Sequence, residues 1–236
     1  MTAKTSSERL FPAPRRGGIV VIPAFAVGRA QLLLYTIFRL KQRGAIPDLP
    51  VFLNSPMAIN TTEIYHRYRA LHRLTPEECR GMHEVAKMVR TVEESRALSH
   101  LRYPAVIVSA SGMATGGRVL HHLKALAPDR RNTIVLVGYQ AGGTRGARIL
   151  AGERSIRIFG DDVTINAEVV SLQGMSAHAD ARQIVDWLRT APRPPRSLYL
   201  THGEPGPADA LRRRIEAELG WTAGIPVLGQ SVMIEP

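Results

Sequence analysis

The sequence predicts an α/β fold whose first part is a doubly wound, mainly parallel sheet, and three features predict it. Apolar, β-branched runs bounded by glycine or proline recur at GGIVVIPAF, PVFLN, PAVIVSASGM and NTIVLVGYQ, and each reads as a buried strand. Helical stretches fill the intervals, so strands and helices alternate as they do in parallel sheets. Glycine-rich loops, PAFAVGRAQ, SASGMATGGR and GYQAGGTRG, follow three of the strands, where such sheets form their ligand crevice.

In chain order, residues 1–17 read as a lead-in, with Pro12, Pro14, Arg15 and Arg16 ahead of the first strand. GRAQLLLYTIFRLKQRG is a helix closed by basic residues and Gly44. The second strand, PVFLN, leads into a turn and helix at SPMAINTTEIYHRYRALHRL, then a shorter helical turn at TPEECRGM. GGRVLHHLKALAP is the helix after the third strand. Near Ala151 the texture changes. SIRIFG, VTINAEVVSLQG and SLYLTH read as short strands, with helices at ADARQIVDWLRT and PADALRRRIEAEL. IRIFGDDVTI suggests an antiparallel pair turning at Gly160-Asp161. A domain boundary is expected near 150–153, separating 1–150 from 151–236.

Composition narrows the class of partner. The chain has 236 residues, enough for one large or two small domains, and its 44% hydrophobic content supports a sizeable core. The formal net charge is +11 and the pI about 10.6, carried almost wholly by arginine, since the lysines are Lys4, Lys41, Lys87 and Lys124. Such a surface attracts polyanions, with nucleic acid the leading class. No apolar run approaches the ~20 residues that span a bilayer. The N-terminus lacks an apolar signal core, so a cytoplasmic location and no membrane partner are expected. A single cysteine, Cys79, excludes an internal disulfide and a cysteine-cluster zinc site. His83, four residues on, could share a helix face with it, but a small core residue beside a surface histidine is the simpler reading.

Glycines let backbone amides approach a phosphate, and Arg29, Arg118 and Arg145 lie within or just after the three loops, where a guanidinium could pair with one. For any single loop, a tight strand-to-helix turn is the simpler explanation. None matches GxxxxGK[ST] or GxGxxG, which argues against a nucleoside triphosphatase or a dehydrogenase. Three basic loops on one sheet edge point instead to a polyanion groove. His66, His72, His83, His100 and His121 fall on helical stretches or their flanks with no partner pattern, and His122 faces away from His121. His178, in GMSAHAD, and His202, ending SLYLTH, follow strands, where α/β folds mount catalytic groups. Imidazole there can ligate a metal or move a proton near neutral pH. Asp180 either orients a ring or caps the next helix.

Six stretches in collinear order, GGIVVIPAFAVGRAQ, VFLNSPMA, VSASGMATGGRVLHHL, GYQAGGTRGARIL, GMSAHADARQIVDWL and LTHGEP, resemble the β-CASP branch of the metallo-β-lactamase-fold RNA-processing nucleases. The resemblance implies that 1–150 is most of a β-CASP domain. It implies that 151–236 holds the C-terminal strands and helices of a metallo-β-lactamase-like domain, with its RNA-metabolising motif. The implied activity is a zinc-dependent ribonuclease, exo- or endonucleolytic, with single-stranded RNA as partner and two zinc ions as cofactors. His178 matches a histidine that contacts the scissile phosphate and assists proton transfer. His202 matches a zinc ligand. Contacts to RNA phosphate are implied for Ser109, Ser111, Gly112, Met113, Thr115, Gly116 and Arg118, for Arg29 and Arg145, and for Ser176.

The chain departs from the family pattern at three points. Asn54 stands where the family commonly has Asp, and Gly142-Gly143 where Glu-Gly is frequent, so the cleft is more cationic. The HxHxDH motif and the family's other zinc ligands do not occur in the sequence. Each zinc needs about four donors, so His202 alone cannot hold the centre. The chain is therefore expected to bind RNA better than it cuts it and to be inactive alone. It is also expected to expose a face that an N-terminal metallo-β-lactamase half, or a second copy in a homodimer, would cover. The rival readings are a non-catalytic RNA-binding or scaffolding half-protein and a phosphate-binding α/β domain unrelated to RNA.

Overall fold

The structure is a computed structural model, and it describes residues 16–173, 175, 176 and 178–233. By internal contacts the chain divides into two compact units, Met1–Met175 and Ser176–Pro236. The domain boundary expected from the sequence near 150–153 is a separate division of the chain and remains a proposal.

The first unit carries the predicted parallel sheet. Its six strands are β1 (Ile19–Pro23), β2 (Val51–Asn54), β3 (Lys87–Met88), β4 (Ala105–Ser109), β5 (Thr133–Val137) and β8 (Glu168–Leu172), ordered β3-β2-β4-β1-β5-β8. Every neighbouring pair is parallel. Strands β1, β2, β4 and β5 are buried along their whole length, as apolar runs without alternation require. Side chains nonetheless divide by twos. Val20, Ile22, Val106, Val108, Val135 and Val137 enter one core cluster, and Ile19, Val21, Ala105, Ile107, Ile134 and Leu136 enter the other.

Helices cover both faces. The first cluster is closed by α1 (Arg29–Gln42), α2 (Pro56–Arg67) and α3 (Pro76–Glu84), through Leu33, Leu34, Ile37, Ile59 and Met82. The second is closed by α4 (Val92–Leu98), α5 (Val119–Leu126) and α6 (Arg145–Leu150), through Leu98, Val119, Leu123 and Ile149. Local chemistry sets where several helices begin. Ser55 caps α2 by accepting from Ala58 N, with Pro56 at the first helical position. Thr75 with Glu78, and Thr91 with Glu94, form reciprocal capping boxes on α3 and α4.

Two sequence expectations are corrected here. The hairpin β6 (Ser155–Ile158) and β7 (Asp161–Thr164) is antiparallel as expected, but it turns at Phe159 (φ 52) and Gly160 (φ 87), because Asp161 is already paired with Ile158. Successive positive φ angles match the twist of a two-residue hairpin turn. The stretch VTINAEVVSLQG, expected as one strand, divides into β7 and β8. Strand β8 adds to the edge of the main sheet, with Thr133 opposite Glu168 and Val137 opposite Leu172.

The second unit contains α7 (Ala181–Leu188) and α8 (Pro205–Leu219). SLYLTH is not a strand. Among the described residues its one pairing is a parallel bridge between Tyr199 and Gly224, with Leu200 N to Gly224 O at 2.9 Å. A strand exists only against a ladder partner, and no further partner adjoins it here. The unit's small core is Val185, Leu188, Ile215 and Ala223, flanked by Ile184, Leu198, Leu200, Leu211, Leu219 and Trp221.

Candidate functional site

The carboxyl ends of β1, β4 and β5 deliver the three glycine-rich loops to one edge of the sheet. The loop after β4 is built largely from its own hydrogen bonds. Ser109 is buried and donates through Oγ to Asn54 O at 2.8 Å, which joins the ends of β4 and β2. Ser111 Oγ accepts from Thr115 N at 3.2 Å and lies 3.0 Å from Thr115 Oγ1. Gln140 Nε2 donates to Gly112 O at 3.3 Å, and Gly146 N to Met113 O at 2.9 Å, so the third loop grips the second. Glycine is required where these backbones meet. A Cβ on Gly117 would lie 2.7 Å from Ala110 O, and one on Gly146 would run into Gln140 Oε1. These contacts fit the tight-turn explanation of the glycines, whereas Gly116 has open space around its Cα.

The arginines Arg29, Arg118 and Arg145 all point their donors at protein. Arg118 bonds Asn54 Oδ1 at 2.9 Å, Val89 O at 3.1 Å and Arg90 O at 2.8 Å. Arg145 Nε bonds Arg157 O at 2.7 Å, and its Nη1 reaches Ala114 O and Thr115 O at 3.5 and 3.4 Å. Arg29 Nη1 donates to Met175 O. Among the described residues none of the three forms an ion pair with a carboxylate, so no carboxylate offsets their positive field while they hold loop carbonyls in place. The loops also expose Phe25 and Tyr139, at 45% and 61%. Sequence reasoning missed these aromatics. An exposed aromatic in a glycine loop of a basic protein was the available signal, because bases stack on such rings.

Beside this edge lies a buried polar network that centres on Asn54 and His122, both fully buried. Arg118 can only donate, so it fixes Asn54 Oδ1 as the acceptor and turns the amide nitrogen toward Ser95 Oγ and His122 Nε2, each at 2.7 Å. His122 Nε2 must then be the acceptor, and its Nδ1–H meets Ser99 Oγ at 3.1 Å. Burial, with the charges of His121 and Arg118, lowers the His122 pKa to about 4.

Another grouping was not legible in the sequence. Cys79 Sγ lies 3.8 Å from His66 Nδ1 and 3.9 Å from His72 Nε2, while the His83 ring packs against His66 at 4.8 Å. Burial pushes the Cys79 thiol pKa up. Among the described residues no three His, Cys, Asp or Glu side chains are grouped so as to hold a metal ion.

In the second unit, His178 and His202 are both exposed, and each stands two residues before a helix N-cap. His178 N donates to Ser176 Oγ at 3.1 Å. Asp180 caps α7, its Oδ1 accepting from Gln183 N at 2.8 Å while its own backbone N–H donates to Gln183 Oε1 at 2.9 Å. His202 has a left-handed backbone (φ 63) and precedes Glu204, the N-cap of α8. Both residues therefore stand just ahead of helix N-termini, the ends at which an anion is stabilised. Within GMSAHAD, Gly174 and Ala177 lie outside the described residues. A dinuclear zinc centre does not fit the donors present, since His202 would be one imidazole where about eight donors are needed.

Residues 30–149 match the Beta-Casp domain, and residues 162–226 match the Zn-dependent metallo-hydrolase RNA specificity domain. A ribonuclease of Thermus thermophilus is 38% identical, over 96% of this chain and 54% of its own length. Transcription termination factor FttA of Methanosarcina mazei is 37% identical, over 80% of this chain and 31% of its own length. An RNase J-like protein of Methanocaldococcus jannaschii is 33% identical, over 84% and 46%. The chain thus spans about half the length of the Thermus relative and less of the other two. Two family matches in sequence order, on a parallel α/β sheet with glycine loops at its carboxyl edge, place the chain in the β-CASP family of metallo-β-lactamase-fold RNA nucleases.

Proposed function

We propose that this chain supplies the RNA-binding part of a metal-dependent ribonuclease, and that RNA phosphates run along the loops after β1, β4 and β5. The observation that carries the reading is the set of arginines Arg29, Arg118 and Arg145, unpaired with carboxylates and locked to loop carbonyls. Their fixed charges draw a polyanion without first having to be ordered. Ser111, Gly112, Met113, Thr115 and Gly116 supply backbone and hydroxyl contacts to phosphate, and Phe25 and Tyr139 offer faces for bases. Ser176 orients the segment before His178, which holds the scissile phosphate and passes a proton to the leaving oxygen. His202 serves as one metal ligand. The remaining donors come from polypeptide outside these 236 residues, a metallo-β-lactamase half acting in the same or a separate chain. The donor set present favours, for this chain by itself, RNA binding without cleavage.

The test uses a fluorescent oligoribonucleotide at low and moderate salt. The chain is expected to bind it with a steep salt dependence and to leave it uncut. In the complete enzyme, His202→Ala is expected to lose metal and activity together, and His178→Ala to lose activity with metal retained. Full metal content and activity in His202→Ala would remove the ligand assignment. A chain that ignores RNA at low salt would remove the binding reading.

A further inference from the structure

Helices α4 and α5 border an open groove of about 530 Å³ whose lining carries no carboxylate. One stripe comes from α4 and its end, Val92, Ser95, Arg96 and Ser99, at the spacing of a single helix face. The facing stripe, Arg118, His121 and Lys124, runs along α5 for about 9 Å at 1.5 Å per residue. Arg96 has no ion-pair partner among the described residues, and Arg118 at the other wall is held by Asn54 and two carbonyls. Lys124 makes an exposed pair with Asp161 at 2.5 Å, an interaction that water screens and a phosphate can replace.

A second, independent feature adjoins this groove. The hairpin turn places Phe159 against His121, with ring centroids 4.6 Å apart, and leaves the phenyl ring 53% exposed. A bulky residue at φ 52 is costly backbone, and glycine would occupy that turn position without strain. An apolar ring held outward at such a position, against the His121 wall of a groove that carries Arg96 and Lys124, has the make-up of a stacking platform with phosphate partners.

We propose that this groove is a nucleotide-binding site separate from the strand-end loops. A base stacks on Phe159 and His121, and its phosphate lies between Arg96 and Lys124. Either a segment of an RNA strand or a free mononucleotide offers this chemistry. The inference goes beyond the strand-end reading and does not depend on it, because Arg96, His121, Lys124 and Phe159, none of them in the strand-end loops, carry it.

The experiment follows the His121 and His100 ring resonances of the folded chain during titration with adenosine monophosphate, inorganic phosphate and a 12-nucleotide oligoadenylate. Two variants accompany it, Arg96→Ala on an exposed helix face and Phe159→Gly, which suits the turn backbone and so keeps the hairpin. Adenosine monophosphate is expected to move the His121 signal strongly and phosphate only weakly. Phe159→Gly should weaken nucleotide binding roughly tenfold, as loss of one stacked base does. Arg96→Ala should weaken it and flatten its salt dependence. A parallel loss of oligoadenylate affinity in the variants identifies the strand as ligand, whereas unchanged oligoadenylate affinity identifies the free nucleotide. If neither nucleotide nor oligonucleotide moves His121, the groove is not a nucleotide site, even if the chain binds RNA elsewhere. Should the nucleotide bind here while no RNA binds anywhere, the strand-end reading fails and this one stands.

Discussion

The two compact units invest their apolar side chains differently. In Met1–Met175, strands covered on both faces feed two large clusters, and residues such as Ile22, Leu34, Ile107 and Leu123 have essentially no exposure. In Ser176–Pro236, the buried set is Val185, Leu188, Ile215 and Ala223, while Trp187, Val227, Leu228 and Met233 stay between 71% and 105% exposed. The second unit thus has apolar sequence without an interior to hold it, and a surface of that kind asks for a partner. In the proposed function that partner is the metallo-β-lactamase half, with self-association as the competing outcome.

Paired core truncations break or sharpen this contrast most directly. Leu123→Ala, in a closely packed cluster, is expected to cost about 2–5 kcal/mol and to lower the urea midpoint of the main transition. Ile215→Ala removes a side chain just as buried but with fewer partners. Its loss should lie at the low end of that range and appear as amide exchange confined to α7 and α8. Exchange spreading from Ile215→Ala into the sheet strands would show that both units unfold together and would erase the distinction.

The next largest effect is acid sensitivity, whose buried source, His122, lies in the first unit. The His122 pKa is lowered to about 4 by burial, so between roughly pH 4 and 6.5 the unfolded chain binds a proton that the fold refuses. Stability linked to His122 is complete above about pH 6.5 and is lost as the pH falls through that window, to the extent of about 3 kcal/mol. Asn54→Asp places a carboxylate against the ring, raises its pKa and shrinks that loss. Urea unfolding at pH 7 and pH 4.5, with the ring titration followed by NMR, measures both. A His122 that titrates near its ordinary value in the folded chain would mean the Asn54 network is open to water.

The same contrast explains what the sequence could tell. Fully buried strands such as GGIVVIPAF and NTIVLVGYQ announce themselves because both faces must be apolar, and their parallel pairing follows from the helices between them. SLYLTH has the composition of a strand, but a strand also needs a neighbour, and composition does not report one. Helix α4 is hard to read from sequence although Thr91 and Glu94 carry a capping-box signature, because the short TVEESRAL segment has little apolar periodicity. Among candidate site residues, the loop positions were readable from glycine and arginine placement. The inward direction of each guanidinium was not, because the acceptors lie far off in sequence, as Asn54 does from Arg118 and Arg157 from Arg145. The Cys79–His66–His72 contacts and the α4–α5 groove likewise depend on packing between elements.

The smallest expected effect concerns Asp180, which stands between the two roles its motif allowed. In the fold its carboxylate accepts from Gln183 N at 2.8 Å and caps α7, a helix with only Val185 and Leu188 buried. Removing such a cap costs about 1 kcal/mol. In a well-packed unit that loss would be hidden under tertiary contacts, but α7 has few of them, so Asp180→Ala should fray its first turn. Asp180→Asn keeps an acceptor oxygen and should restore amide protection at Gln183 and Ile184 while still removing the charge two residues from His178. Protection rescued by Asn together with RNA cleavage lost by Asn in the complete enzyme would assign the carboxylate a second role beside the histidine. Rescue of both by Asn would leave it a cap alone.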